Sequence, residues 1–244
     1  MGKVRTRGAT LLLVALALVC ALAGLAGCGS GEGAKGTPAN GEALRVGVRS
    51  DVVGFGYLNE GTGKYYGLEI DIAEEMAARM GYGTVEFVTV TPDTRKDMLS
   101  NGDVDCMVAC YSIAESREKN FDFSPSYYTD ASIVMVENSS LVSGIDGLKG
   151  LTFGTMAGTN TAPQLALKLT ESGFTSGEAL EQTEDHSMTR FDNFRLVQMA
   201  SYQDLSRALE EGSIDAACMD GAIAHTYLNA DRSILDYVID TQEY

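Results

Sequence analysis

Basic residues and histidines are scarce in this chain of 244 residues. It has 18 Lys and Arg against 34 Asp and Glu, and only two histidines. So acidic a protein is a poor partner for nucleic acid or an anionic membrane surface. His186 and His225 lack metal-ligand spacing to the cysteines, and neither falls on a predicted strand end. This pattern disfavours a metal site, a cofactor and a histidine general base.

Cysteines are also few, and no disulfide is expected. Of the five, Cys20 lies in the N-terminal apolar run and Cys28 directly follows it. If Cys106 and Cys110 share one strand, their Cα atoms lie roughly 13 Å apart, whereas a disulfide needs about 7 Å or less. The default expectation for these two and for Cys218 is a set of buried, unpaired thiols.

The first 27 residues have the pattern of an export signal. Three basic residues precede residues 9–27, which carry no charge and end in small residues. The run LAGC, which ends at Cys28, resembles the lipobox of bacterial lipoproteins and implies cleavage before Cys28 and a lipid on its sulfur. The alternative is an uncleaved anchor, since 19 residues nearly span a bilayer core of roughly 30 Å. Either interpretation places the folded part outside the cytoplasm.

Cleavage before Cys28 would make the protein more acidic, leaving 15 Lys and Arg against 34 Asp and Glu, a formal charge of −19. Residues 28–42 are Gly, Ser, Pro and polar residues with little to bury, which predicts a flexible tether. The globular part then has length enough for two lobes, predicted at residues 43–132 and 133–244.

Apolar periodicity predicts alternating strands and helices. Strands are predicted at 44–52, 85–90 and 104–110, and residues 57–67 have the composition of a hairpin. Steps of four predict a helix that buries one face and stops at Gly81; the face is Leu68, Ile72, Met76 and Met80. A second helix is expected from Thr91 as N-cap and Pro92 as first residue through Leu99. Residues 172–192 show no period and are interpreted as an irregular insertion.

The second half repeats the plan of the first. Residues 44–47 are echoed by 151–154, and 99–105 by 209–215, at nearly equal offsets. This repetition favours two similar βαβ lobes. In the second lobe, Ser201 resembles the start of a capping box for a helix that buries Leu205 and Leu209.

Two strand ends carry opposite charges. Ligands sit beyond the carboxyl ends of strands in open α/β sheets. Arg117 follows the strand 104–110 on one short helical turn, and Asp220 follows the strand 214–218. An arginine there can hold a carboxylate bidentately. The alternatives are a surface Arg117 paired with a neighbouring glutamate, and Asp220 as a helix N-cap.

Two motifs resemble the family 3 extracellular solute-binding proteins of bacterial amino-acid ABC importers. The first is GLEIDI at 67–72, followed by Met76 and Met80. The second is YSIAESR at 111–117, followed by DFS at 122–124 and by Tyr127 and Tyr128. The likeness covers residues 44–244. It implies an α/β, two-lobed periplasmic-binding-protein-like (type II) fold, in which each lobe is a mostly parallel βα-layered sheet and a hinge joins the lobes.

The resemblance also implies the binding residues. Arg117 would grip the α-carboxylate of an amino acid, helped by backbone N–H groups near Ser112 and Thr159. Asp220 would accept from the α-ammonium group, and Phe55 would stack on the ligand. Cys110 stands where the family commonly has Ser or Thr. A zwitterion needs one fixed cation and one fixed anion, which agrees with this assignment.

The predicted positions of two further arginines indicate an acidic ligand. Arg95 and Arg49 lie at predicted positions that can face the cleft from the same lobe as Arg117, and relatives that bind glutamate, aspartate or glutamine resemble this chain at Arg95. The alternative is two solvated arginines. We expect glutamate or aspartate, then glutamine, with the side-chain carboxylate on Arg95 and possible help from Arg49.

The resemblance implies a monomer that delivers its ligand to ABC permease subunits and has no enzymatic activity. Two other functions stay open: a dehydratase-like enzyme on the same scaffold, and a sensor that docks on a membrane receptor. The family's usual plan also has a return strand and C-terminal helices, about 40 residues, that this sequence lacks. We therefore expect a single crossover between the lobes.

Overall fold

The computed structural model describes residues 42–244. The predicted signal sequence, Cys28 and all but the last residue of the predicted tether lie outside the described residues. The first elements are β1 (Ala43–Val48), β2 (Asp51–Val52), β3 (Gly56–Asn59), β4 (Lys64–Tyr66), α1 (Leu68–Met80), β5 (Thr84–Thr89), α2 (Arg95–Asn101), β6 (Cys106–Val108) and α3 (Glu115–Glu118). Between residues 42 and 244, no helix is long and apolar enough to cross a membrane.

The remaining elements form the second part of the chain. They are β7 (Thr129–Glu137), 3₁₀ turns at Asn138–Ser140 and Ile145–Leu148, β8 (Thr152–Met156), α4 (Thr161–Glu171), β9 (Glu181–Gln182), β10 (Met188–Arg190), β11 (Arg195–Met199), α5 (Tyr202–Glu210), β12 (Ala216–Asp220), α6 (Gly221–Tyr227) and β13 (Arg232–Glu243). The strand β7 runs through the predicted lobe boundary at 132/133, and that boundary stays a prediction.

A three-stranded parallel sheet is built around β1. It lies between β5 and β6, and both neighbours pair with it in parallel. Leu44, Val46 and Val48 alternate along β1 and are at most 2% exposed, as one buried face of a strand requires. Beside this sheet, β2, β3 and β4 form a small antiparallel sheet that includes the predicted hairpin.

The helix α1 has the predicted ends but buries a different face. It begins at Leu68 and ends at Gly81, whose left-handed backbone caps the helix. Its buried residues are Glu69, Ile70, Ala73 and Ala77. Of the predicted face, Leu68 and Met80 are exposed, whereas Ile72 and Met76 are half-buried. The prediction is therefore wrong at Leu68 and Met80, because the helix packs along the neighbouring stripe of Ile70 and small alanines, whereas Ile72 and Met76 do pack against the core.

The helix α2 begins later than predicted, at Arg95. Residues 91–94 form a turn in which the hydroxyl groups of Thr91 and Thr94 each accept from the other's backbone N–H, at 3.2 and 3.0 Å. Thr91 is therefore not the N-cap, and Pro92 is not the first helical residue. The predicted strand 104–110 is shortened to β6.

The second sheet has seven strands in the order β13-β7-β12-β8-β11-β10-β9. It is mixed, because β8 pairs in parallel with β11 and β12, whereas the other pairs are antiparallel. The predicted irregular segment 172–192 contains β9 and β10, so that prediction is wrong over these residues. Strands as short as these, with polar residues, carry too weak a period to be recognised from sequence.

The internal repeat has a physical basis in one pair of aspartates. Asp105 accepts from the backbone N–H of Arg45 at 3.0 Å, and its own N–H donates to the Arg45 carbonyl at 2.9 Å. Asp215 makes the same two bonds with Thr152, both at 2.8 Å. Each aspartate thus ties the turn before one strand to the start of the neighbouring parallel strand.

The strand β13 makes a second connection between the two parts of the chain. It pairs with β7 over most of its length. At its end, the Glu243 carbonyl accepts from the N–H of Ile113 at 2.8 Å, and the Tyr244 carbonyl accepts from the N–H of Tyr127 at 2.8 Å. Both partners belong to the segment that follows the first sheet, so two connections are present where a single crossover was expected.

The cysteines agree with the expectation of unpaired thiols. Cys106, Cys110 and Cys218 are all free, the last two are buried, and Cys106 is half-buried. Burial raises the pKa of Cys106 to about 11, so its thiol stays protonated at neutral pH.

Candidate functional site

Arg117 lies on the short turn α3, at the predicted position beyond the first sheet. Its Nη1 donates to the backbone oxygen and to the hydroxyl of Ser112, both at 2.8 Å, and its guanidinium carbon lies 4.3 Å from the Tyr111 ring centroid. Glu115 instead pairs with Lys119 at 3.4 Å. Because Arg117 forms no ion pair within the described part, the alternative of a glutamate-paired surface arginine is not supported.

Arg95 is buried rather than open to the cleft. It is 2% exposed, and its Nη1 donates to the carbonyls of Ala109 and Cys110 at 2.9 and 3.1 Å. Its guanidinium carbon lies 4.4 Å from the Tyr111 ring centroid, and its buried Nε has no partner among residues 42–244. Burial, helped by the positive charges of Arg117 and Arg49, lowers the pKa of Arg95 to about 10.

Arg49 already has an anionic partner. Nε and Nη2 donate to the two carboxylate oxygens of Asp51 at 2.9 and 2.7 Å. The Arg49 side chain is buried and lies over the Tyr202 ring, 5.7 Å from its centroid. Burial lowers the pKa of Arg49, but the Asp51 carboxylate, together with Tyr202 and Cys110, outweighs this effect, and the net pKa is raised. A ligand contact from Arg49 would therefore compete with Asp51.

Asp220 ends β12 and is buried. Its side chain makes no capping bond to α6, so the N-cap alternative holds only for its backbone position. The carboxylate accepts from the Ser132 hydroxyl at 2.8 Å, from the Tyr244 hydroxyl at 2.9 Å and from the Gln242 amide. Burial raises the pKa of Asp220, and these three donors oppose that shift.

Three aromatic rings meet beside these charges. Phe55 is 7% exposed and makes edge contacts with Tyr128 and Tyr244, with ring centroids 4.9 and 6.3 Å apart. Gly67 holds the Phe55 backbone in place: its φ is +128°, and a Cβ there would lie 2.2 Å from the Phe55 carbonyl oxygen. No residue with a side chain fits at position 67 in this arrangement.

Thr159 approaches from the second sheet. It follows β8, and its hydroxyl donates to the Met156 carbonyl at 2.8 Å. The preceding residue, Gly158, has φ of +72° and touches the turn before α2: a Cβ there would lie 2.5 Å from Asp93 Oδ1 and 2.7 Å from the Pro92 carbonyl carbon. The two halves of the chain therefore meet at this point.

The structure brings most of the predicted residues together. Phe55, Cys110 and Tyr244 share one core cluster, and Arg117 holds Ser112. The charge of Asp220 opposes the lowering of the Arg117 pKa that burial causes, which places the two groups in electrostatic reach of each other. Thr159 follows Gly158, which touches Pro92 and Asp93 in the turn before α2.

The sequence did not identify four further polar residues of the region as site residues. They are Glu69, Tyr127, Gln242 and Tyr244, which bond to Cys110, Asp220 or each other. Glu69 lies in the first of the two family motifs and Tyr127 in the second, but the motifs alone predict no role for either residue. Gln242 and Tyr244 gave no signal, because their contacts depend on how β13 returns along β7.

A cavity of about 600 Å³ lies against α1 and β6 and borders the site at Tyr111, Tyr127 and Tyr244. Its walls are mostly apolar and include Ile72, Met76, Phe121 and Tyr127, but none of the eight predicted binding residues. Within residues 42–244, no cluster of three or more His, Cys, Asp and Glu side chains is placed to hold a metal ion.

Comparison with known proteins identifies the family. The profile of the bacterial extracellular solute-binding proteins, family 3, matches residues 44–214. The glutamine-binding protein of Geobacillus stearothermophilus is 31% identical, over 96% of this chain and 89% of that protein. The ABC transporter glutamine-binding protein GlnH of Bacillus subtilis (strain 168) is 31% identical, over 92% of this chain and 76% of that protein. The chain therefore belongs to this solute-binding family and works outside the cytoplasm.

A solved structure confirms the fold. The crystal structure of Tv2483 bound to L-arginine has a TM-score of 0.69 and 24% identity, and the match covers 83% of this chain and 75% of that one. The two-lobed type II fold is thus confirmed. The matched relatives are named as binding proteins, which agrees with the prediction of a solute-binding protein and gives the enzyme alternative no support.

Proposed function

We propose that this protein binds an amino acid outside the cytoplasm and delivers it to the permease of an ABC importer. The observation that carries the proposal is Arg117, a half-buried guanidinium without a carboxylate partner in the described part, within electrostatic reach of the buried Asp220. A zwitterionic ligand would complete both charges at once, since each otherwise lacks a full counter-charge in a poorly solvated place. The names of the relatives support the same ligand class.

The proposed side-chain group of the ligand is a carboxylate or an amide. Arg95 supports a carboxylate, because it is buried, has no ion pair among residues 42–244 and has an unpartnered Nε. The relatives named for glutamine support an amide. We place glutamate and aspartate first and glutamine next. Ser112, Thr159, Cys110 and Phe55 line the proposed site, and Arg49 joins them where the ligand displaces Asp51.

Titration calorimetry with the twenty amino acids tests both parts of the proposal. One of glutamate, aspartate and glutamine should bind best. Arg117→Ala should weaken every ligand that the wild type binds, by on the order of 2–5 kcal/mol, since it removes the α-carboxylate partner. The matched control is Arg195→Ala, because Arg195 is exposed and should be replaceable without loss.

Arg95→Ala separates the two ligand types. If Arg95 reaches a side-chain carboxylate, the variant should lose more affinity for glutamate than for glutamine. Equal losses would assign Arg95 to the α-carboxylate region or to the frame of the site. Best binding of an apolar or a basic amino acid would contradict the proposed side-chain group but not the Arg117 and Asp220 clamp.

We also propose that the protein is a monomer held at the membrane by a lipid on Cys28. The run LAGC that ends at Cys28 supports this. Cys28→Ala should move the protein from the membrane fraction of its native host to the soluble fraction, and mass spectrometry of the wild type should find the lipid at the new N-terminus. A wild-type protein that starts at Met1 and stays in the membrane would favour the uncleaved anchor instead.

A further inference from the structure

Cys110 has a backbone conformation that its side chain does not favour. Its φ is +46°, in the left-handed region. The other described non-glycine residues with positive φ are Leu141 and His186, which are exposed, whereas Cys110 is 5% exposed. Non-glycine residues in this region persist where their surroundings hold them. The turn at Cys110 directs the chain from the end of β6 toward Tyr111 and Ser112.

Glu69 holds the N–H side of this turn. It is 0% exposed and lies on the buried face of α1. Its Oε1 accepts from the Cys110 N–H and from the Tyr127 hydroxyl, both at 2.6 Å. Its Oε2 is buried without a partner among residues 42–244. Burial raises the pKa of Glu69, and the bonds from Tyr127 and Cys110 oppose that shift.

Arg95 holds the carbonyl side of the same turn. Its Nη1 donates to the Cys110 oxygen at 3.1 Å and to the Ala109 oxygen at 2.9 Å. Glu69 and Arg95 form no ion pair with each other, although both are buried. A cation from α2 and an anion from α1 thus grip one peptide segment from two sides, and each leaves one polar atom unpaired.

We propose that Glu69 and Arg95 are positioning residues, which lock Cys110 in its left-handed turn so that Ser112 meets Arg117 in the geometry that receives the ligand. This deepens the proposed function and rests on it. Two buried charges that bond to backbone rather than to each other are a costly way to stabilise a fold. Supporting groups of this kind are what a binding site needs to hold its ligating residues in place.

The experiment compares Glu69→Gln, Glu69→Leu and the double variant Glu69→Leu/Cys110→Gly. Gln keeps the accepting oxygen and the shape, whereas Leu fills the space without accepting. Glycine adopts positive φ without steric cost. We expect Glu69→Leu to weaken binding of the best amino acid at least about tenfold and Glu69→Gln at most about threefold. The double variant should regain at least half of the lost binding free energy.

A second pair of variants tests the proposal if the Glu69→Leu protein does not fold. Cys110→Val keeps both charged residues but opposes the left-handed turn, because β-branched residues are genuine outliers at positive φ. It should bind more weakly than Cys110→Gly while thermal unfolding shows both folded at the assay temperature. Wild-type affinity in Glu69→Leu or Cys110→Val, or no rescue by glycine, overturns the proposal.

A crystal structure separates failure of this inference from failure of the proposed function. If the wild type binds no amino acid in calorimetry, the proposed function fails. The effect of Glu69 on the turn can still be tested, because the φ angle of residue 110 can be measured in the crystal structures of the variants. Residue 110 should turn to negative φ in Glu69→Leu or, if that variant does not crystallise, in Cys110→Val. It should keep positive φ in Glu69→Gln. An unchanged turn in the Leu and Val variants would show that neither Glu69 nor the side chain at 110 controls it.

Discussion

At the scale of single residues, the site concentrates charge where water is excluded. Arg95 and Asp220 are 2% and 6% exposed. Burial lowers the pKa of Arg95 and raises the pKa of Asp220, so it favours the neutral form of each. Asp220 accepts from three donors, whereas the partners of Arg95 among residues 42–244 are two carbonyl oxygens and a tyrosine ring. Arg95 therefore has no negatively charged partner among residues 42–244, and a positive charge in that situation favours the binding of an anionic group.

Asp220→Asn should separate stability from binding. A carboxyl group whose pKa is raised above its ordinary value of 3.8 lowers stability when ionised, and the loss disappears as the pH falls through the raised pKa. We therefore expect the ligand-free variant to have a higher thermal midpoint than the wild type at pH 7. That advantage should vanish in acid. Ligand affinity should fall at least about tenfold, because an amide cannot neutralise the ammonium group.

The measurements are thermal unfolding at several pH values and calorimetry at pH 7. The control is Asp236→Asn, since Asp236 is exposed and its loss should change neither quantity by much. If Asp220→Asn lowers the midpoint at pH 7, the hydrogen bonds of the carboxylate outweigh its desolvation. If it keeps full affinity, Asp220 is not the ammonium partner.

At the scale of elements, sequence patterns predicted the ends of α1 and the cap and buried face of α5, but not the start of α2 or the buried face of α1. The four-residue steps and Gly81 placed α1 correctly, and Ser201 caps α5 as predicted, accepting from the Asp204 N–H at 3.0 Å. The buried face of α1 was missed, because beside Ile70 it consists of two alanines and of Glu69, which accepts from a backbone N–H. An apolar period cannot reveal a charged residue whose partner lies 41 residues away.

The sequence predicted the site residues that lie in local motifs. It did not predict the contacts that depend on tertiary packing or on the pairing of β13 with β7. Arg117 follows β6 and Asp220 is the last residue of β12, and the sequence predicted both strand ends to within two residues. The burial of Arg95 and the pairing of Arg49 with Asp51 depend on how α2 and β2 pack, which no local pattern encodes. Tyr244 reaches Asp220 only through the long pairing of β13 with β7.

Gly158→Ala should weaken ligand binding by blocking the contact between the two halves of the chain. A methyl group there would lie 2.5 Å from Asp93 Oδ1 and 2.7 Å from the Pro92 carbonyl carbon. The control is Gly212→Ala, because Gly212 has the same φ of +72° with nothing within 4 Å of a built Cβ. Both variants should lose roughly 1–2 kcal/mol of stability from the left-handed backbone, but only Gly158→Ala should also lose affinity.

Calorimetry and thermal unfolding of the two variants, side by side, measure these effects. Equal affinities would mean that the contact at Gly158 plays no part in binding. A loss of affinity in both variants would point to a general effect of destabilisation rather than to this contact.

At the scale of the whole molecule, two sheets are tied together by two antiparallel strands. The end of β13 bonds to Ile113 and Tyr127 beyond the first sheet, while Tyr244 reaches Asp220 and stacks on Tyr128. The second connection thus runs directly beside the proposed ligand site. Closure of two lobes on a ligand is an established hinge mechanism, and here any hinge motion must also move the residues around Asp220.

The acidic surface opposes the approach of an anionic ligand, although the site favours it. The chain has a formal charge of −16. Glutamate carries a net negative charge at neutral pH and glutamine carries none. Repulsion at long range extends about 30 Å in 0.01 M salt and about 8 Å in 0.15 M salt, whereas a desolvated contact with an arginine is screened far less.

We therefore expect the association rate constant of glutamate to rise between these salt concentrations. That of glutamine should stay constant, and both dissociation rate constants should change little. The chain has 11 tyrosines and no tryptophan, so stopped-flow tyrosine fluorescence can follow both ligands in the same protein. A glutamate association rate that falls with added salt would mean that the positive charge of Arg95 and Arg117 reaches into solvent and outweighs the acidic surface.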